Sequence, residues 1–135
     1  MTIKGFLIRF SIAYFTLVLI SVLMSLYLDI KGGILLGTAI LFGAIYWAYL
    51  EFGKQNKRNF TKNEKFAAVV GIIVVDLSLQ IAFSLVAVFL GESTIGFIHQ
   101  VVFGFLIVGS LHALVIYYFV KSSDKIIARH NVLSG

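Results

Sequence analysis

The chain has 135 residues, 60% of them hydrophobic and 13% charged, with a mean hydropathy of +1.02. A soluble domain carries about twice that share of charge, so the composition excludes an ordinary water-soluble fold and predicts a single-domain integral membrane protein. The formal charge of +5 is not a nucleic-acid footprint, because the basic residues fall where membrane topology already puts them, and the absence of cysteine excludes disulfides and thiolate metal sites.

Phe10 to Leu28 is uncharged and long enough to span, with Lys4 and Arg9 before it and Asp29 and Lys31 after it. A signal peptide would show a shorter apolar region and a small-residue cleavage site. The stretch SLYLDIK has none, so the first span (10–28) is expected to be retained. The second span (32–50) ends in Tyr46, Trp47 and Tyr49, followed by Phe52, aromatic rings that favour the headgroup level. The connection 51–65 is polar and carries Lys54, Lys57, Arg58, Lys62 and Lys65 against Glu51 and Glu64. Thr61 and Glu64 have capping-box spacing, which predicts that the third helix starts near Lys62.

The third span (66–90) is apolar on every face except for Asp76 near its midpoint, and its length matches the ~20 residues needed to cross a ~30 Å hydrocarbon slab. Gly91 is the expected C-cap. The fourth span (95–120) is interrupted by His99, Gln100 and His112, and a polar tail, 121–135, follows. Lys4, Arg9, the five basic residues of the central connection and Lys121, Lys125 and Arg129 lie on one side, with Lys31 alone on the other. The positive-inside rule then places both termini and the central loop in the cytoplasm. The expected fold is an all-α, up-and-down bundle of four transmembrane helices.

A carboxylate at the bilayer centre costs about 2.5 to 3.5 kcal/mol on insertion scales, so Asp76 is expected to face other helices and to carry a role. At ~1.5 Å per residue Asp76 lies ~15 Å below Phe66 and His112 ~12 Å below Val120, nearly one level on consecutive antiparallel helices. The two are therefore either a proton-accepting pair or polar fasteners hydrogen-bonded across the bundle. Gln80 and Ser84 continue the face of Asp76 at spacings of four, which gives either a polar path or a helix seam. The histidines stand at different depths, His130 in the tail, and predict no metal site. No cofactor and no catalytic set is expected, so the chain is not read as an enzyme.

Gly33 and Gly37 form a GxxxG pattern, continued by Ala39 with Gly43 and Ala44 with Ala48; Gly104 and Gly109 mark a second small-residue face. In lipid such faces let helices approach closely, within one chain or between chains. Arg9, Lys57 and Arg58 are the candidates for lipid headgroup contact.

Four spans in this length, the Arg9-Phe10 pair opening the first helix and the turn Arg58-Asn59-Phe60-Thr61-Lys62-Asn63-Glu64-Lys65 resemble the ABZJ family of small four-span bacterial inner-membrane proteins. The loop of that family is associated with an R-x-P-T-x-x-E pattern, and Phe60 stands at the proline. The resemblance implies a fold and the bacterial inner membrane as location, and no activity. The functional expectation is a non-enzymatic accessory subunit docked on a larger inner-membrane complex, such as a multidrug efflux pump or another transporter. The alternative is a homo-oligomeric proton-coupled carrier or channel using Asp76. The lipid bilayer is a partner in either case.

Overall fold

The computed structural model describes the backbone of residues 1–28, 34–89 and 95–133, and the side chains of 1–28, 35–86 and most of 102–129. The described residues form four α-helices: α1 (Ile3–Leu28), α2 (Ile34–Asn56), α3 (Lys62–Phe89) and α4 (Ile95–Leu133). The fold is an all-α four-helix bundle. Each helix contains a segment long and apolar enough to cross a membrane, and a helix that is apolar all round has no face for water. The chain is a multi-pass membrane protein.

Helix lengths exceed the predicted spans at the start of α1, at the end of α2, which runs on to Asn56, and at the end of α4. α1 begins at Ile3, so Phe6 lies inside the helix and is fully buried. α4 runs on through the polar tail to Leu133, 39 residues or ~58 Å in all. No glycine or proline interrupts residues 121–133, and Ser122 returns its hydroxyl to the Tyr118 carbonyl at 2.9 Å rather than turning the chain. Gly33 and the expected cap Gly91 lie outside the described residues.

Side-chain contacts fix the helix directions. Arg9 meets Glu51, and the Leu17 side chain passes near Gly43, so α1 and α2 are antiparallel. Leu77 touches Gly109, and Asp76 meets His112, so α3 and α4 are antiparallel as well. Tyr14 reaches Asp76 and Leu7 lies against Gly71, whereas Thr38 faces His112 and Phe42 packs edge-on against Phe119 at 4.4 Å. These pairs make α1 parallel to α3 and α2 parallel to α4. Among the described residues the backbone of α1 does not run beside that of α4, nor α2 beside α3. Around the bundle the order is therefore α1, α2, α4, α3, and the connection from α2 to α3 crosses a diagonal.

That crossing is built by the residues of the turn. α2 ends where Lys57 enters the left-handed region at φ 50° and its N–H donates to the Gly53 carbonyl at 2.9 Å. A residue in that conformation ends a helix whether or not it is glycine. Phe60 then inserts into a cup of rings, with centroids 5.3 Å from Phe6, 4.9 Å from Tyr49 and 3.9 Å from Phe52. It is only 5% exposed although it sits in the most polar stretch of the sequence. The predicted capping box forms: the Thr61 N–H donates to Glu64 Oε2 at 2.8 Å and the Glu64 N–H donates to Thr61 Oγ1 at 3.3 Å. α3 begins at Lys62 as its spacing requires.

Most of the buried residues, including Phe6, Phe10, Tyr49, Phe52 and Ile116, lie in the half of the bundle nearest this loop. The outer surface is apolar, with Ile12, Phe15, Leu35, Phe103 and Leu114 exposed. Against lipid those side chains are in their proper solvent. Cohesion must come from packing and hydrogen bonds, because hydrocarbon supplies no hydrophobic drive between helices.

Candidate functional site

Asp76 and His112 are the buried charged or polar residues among those described, 1% and 4% exposed. The spacing of four between Asp76 and Gln80 puts both on one face of α3, and that face turns toward the bundle axis. The Gln80 amide donates from Nε2 to Asp76 Oδ2 at 2.9 Å. From α4 the His112 Nδ1 lies 2.9 Å from the same oxygen. From α1 the Tyr14 hydroxyl donates to Oδ1 at 2.5 Å, the short separation expected when a hydroxyl serves a carboxylate. From α2 the Thr38 hydroxyl stands 3.5 Å from His112 Nε2. Every helix contributes a side chain to one cluster.

Counting donors and acceptors narrows its chemistry. A carboxylate only accepts, and here three groups are turned toward it. With a proton on Nδ1, His112 donates to Oδ2, and its Nε2 takes the Thr38 hydroxyl as partner. The Gln80 Nε2 is also 3.5 Å from His112 Nδ1. Two N–H groups facing one another do not bond, and both have a better acceptor in Oδ2. That spacing is therefore proximity rather than a fifth bond.

Of the predicted polar stripe, Asp76 and Gln80 join the cluster and Ser84 does not, since its hydroxyl donates to the Gln80 carbonyl of its own helix at 2.9 Å. Tyr14 and Thr38 escape the sequence reading. A tyrosine eleven positions into α1 stands well away from either interfacial belt, and that displacement is the signal that marks it. Among the described residues no group of three metal-ligating side chains converges. The side chains of His99 and His130 lie outside the description.

The small residues divide. A methyl group at Gly43 would make ordinary contact with Leu17 at 3.9 Å, and one at Gly109 would press on Leu77 at 3.3 Å. At Gly37 and Gly104 it would meet nothing within 4 Å among the described residues, so there is room beside both. The tightest approach is at Gly71, which the sequence reading passes over. A Cβ there would lie 2.5 and 2.6 Å from the two Leu7 methyls and 3.1 Å from Leu7 Cγ. Ala67 stands four positions before Gly71 but is exposed, so small-residue spacing alone does not mark this approach.

Two of the three proposed headgroup residues, Arg9 and Arg58, have partners within the chain. Arg9 reaches Glu51 at 3.5 Å, and the Gln55 amide, with its oxygen toward the guanidinium, accepts from Nη2 at 3.0 Å. Arg58 forms a two-pronged pair with Glu64 at 2.7 and 2.8 Å and lies 5.4 Å above the Phe52 ring. Hydrogen bonding to Glu64 raises the Arg58 guanidinium above its ordinary range. Lys57 is exposed at the turn. Arg58, Thr61 and Glu64, the residues that carry the likeness to the ABZJ pattern, are thus the ones that close the cap of α3. Comparison of the chain with protein-family models, with curated proteins and with solved structures returns no match.

Proposed function

We propose that the protein is a small, non-enzymatic accessory subunit that works by contact with a larger membrane complex, such as a transporter, and modulates its assembly or activity. The observation that carries this reading is the saturation of Asp76. Both carboxylate oxygens are taken by side chains of the same chain, and the group is 1% exposed, so a substrate would have to break three hydrogen bonds to reach it. The open positions Gly37 and Gly104 support contact with a companion, since a neighbouring helix can come close there. The excess of basic residues around the loop 57–61 supports cytoplasmic termini, and the resemblance to the ABZJ family supports the bacterial inner membrane.

The test is isolation of the full-length protein in a gentle detergent, with companions identified and the companion's transport measured with and without it. A companion whose activity changes, and whose binding is lost on Gly104→Leu while the bundle stays folded, is the expected result. Reporters fused at both ends should both read cytoplasmic.

A second reading is a homo-oligomeric proton-coupled carrier, favoured by the 2.9 Å contact between two titratable groups in the middle of the bundle. Recovery of copies of this chain alone, together with proton-coupled uptake by purified protein in vesicles that Asp76→Asn abolishes, would replace the accessory reading with this one.

A further inference from the structure

Every described lysine and arginine lies at the end of the bundle that carries the loop 57–61. Part of that charge is matched within the chain, since Glu51 takes Arg9 and Lys54 and Glu64 takes Arg58. Lys62, Lys121 and Lys125 are exposed and have no carboxylate partner among the described residues. These three converge on one groove. With the contact of Asp76 and His112 as a common level, the rise of ~1.5 Å per residue puts Phe66 of α3 and Lys121 of α4 both ~14 to 15 Å from it, and Lys62 and Lys125 both ~20 to 21 Å. Rotation agrees with depth. Phe66 stands eleven positions, three turns, before Leu77, the residue that touches Gly109 of α4. Tyr117 and Lys121 each follow a buried residue, Ile116 and Val120, so they turn about 100° out of the bundle, on the side away from Phe119, which packs on α2. That side is the one that borders α3. Phe66, Val70 and Tyr117 are 73%, 44% and 57% exposed, which gives the groove apolar walls beneath a rim of lysines. We propose that this outer groove between α3 and α4 binds an anionic phospholipid, its phosphate held by Lys62, Lys121 and Lys125 and its acyl chains laid along Phe66, Val70 and Tyr117.

The arrangement selects a lipid over other anions. Lys121 stands at the last turn of the apolar segment Val102–Ser122, where hydrocarbon gives way to headgroups, and an amphiphile alone satisfies a charged rim and an apolar wall together. A lysine lays its methylenes along the wall and lifts its ammonium to the phosphate, offering three donors without demanding a fixed orientation. A zwitterionic headgroup carries an ammonium of its own, which the same lysines repel. Arg9 and Arg58, whose charge is already matched, drop out of the headgroup set. A lipid so placed bridges α3 and α4 at the loop end. The inference rests on this groove alone and holds with or without a companion for the chain.

The measurement is native mass spectrometry of the full-length protein in a gentle detergent, offered phosphatidylglycerol or phosphatidylcholine. The expected result is retention of phosphatidylglycerol in preference to phosphatidylcholine. That preference should fall about fivefold in Lys62→Gln and in Lys121→Gln, and stay unchanged in Lys4→Gln, whose lysine is on α1. Inorganic phosphate should not displace the lipid, because it has no acyl chain for the walls. In the unaltered protein, phosphatidylglycerol with a photoactivatable acyl chain should mark the segments that hold Phe66, Val70 and Tyr117, so a variant that fails to fold leaves the idea open to refutation. Equal retention of the two lipids, a preference untouched by either lysine change, displacement by phosphate, or marking confined to α1 and α2 overturns it.

Discussion

The bond from Tyr14 to Asp76 ties α1 to α3 and can be weighed by a double-mutant cycle. Tyr14→Phe removes the hydroxyl and leaves the ring stacked on Phe10, whose centroid is 5.5 Å away with the planes 16° apart. Asp76→Ala removes the acceptor, together with the bonds to Gln80 and His112; those losses are common to both backgrounds and cancel in the cycle. Two magnitudes compete. Hydrogen bonds to charged groups in proteins contribute about 1.5 to 3 kcal/mol, whereas bonds between transmembrane helices average about 0.6 kcal/mol with a maximum near 1.7, because helices separated in the membrane find other partners. The 2.5 Å separation and the 1% exposure of Asp76 place this bond at the upper end of the membrane range, about 1.5 kcal/mol, or roughly tenfold in the folding equilibrium. Reversible unfolding in mixed micelles, followed by loss of helicity, reads the four corners of the cycle. A coupling below about 0.3 kcal/mol, the size at which independent sites already add, would refute the claim that the hydroxyl and the carboxylate act on one another.

Gly71→Ala should destabilise the bundle by about 1 to 3 kcal/mol in the same assay, because Leu7 must leave its place, while Gly37→Ala should be neutral or slightly stabilising; equal effects would contradict the close approach of α1 and α3. Leu7→Ala in the Gly71→Ala background should recover part of the loss. Phe60→Ala empties the cup formed by Phe6, Tyr49 and Phe52 and should cost about 3 to 5 kcal/mol, with Phe60→Leu costing less; a loss below 1 kcal/mol would show that the loop is not anchored there. Thr61→Ala removes the hydroxyl that receives the Glu64 N–H and should cost about 1 kcal/mol, read locally as faster amide exchange in the first turn of α3, and no change in that turn would count against the cap.

Depth along each helix was readable from the sequence, and rotation about it was not. Hydropathy and capping are local: an apolar run of sufficient length announces a span wherever its neighbours lie, and Thr61 with Glu64 marks the start of α3 without reference to any other helix. Once an end is placed, 1.5 Å per residue fixes the level of every side chain, which is why the sequence alone sets Asp76 and His112 opposite each other. Which helices stand side by side depends on packing between distant segments. With helices arranged in sequence order, α1 would border α4; in the structure it borders α3 instead. That exchange delivers Tyr14 to Asp76 and Gly71 to Leu7, and brings Thr38 to the far side of the His112 ring. It is enforced by a residue that looks out of place, because Phe60, apolar within a basic loop, is what draws the loop across the end of α1 and α2. The candidate site is therefore only half written in α3 and α4. Its other half is supplied by the diagonal connection, so a change at Phe60, remote from the membrane centre, should disturb the hydrogen bonds of Asp76 before it unfolds the helices that carry them.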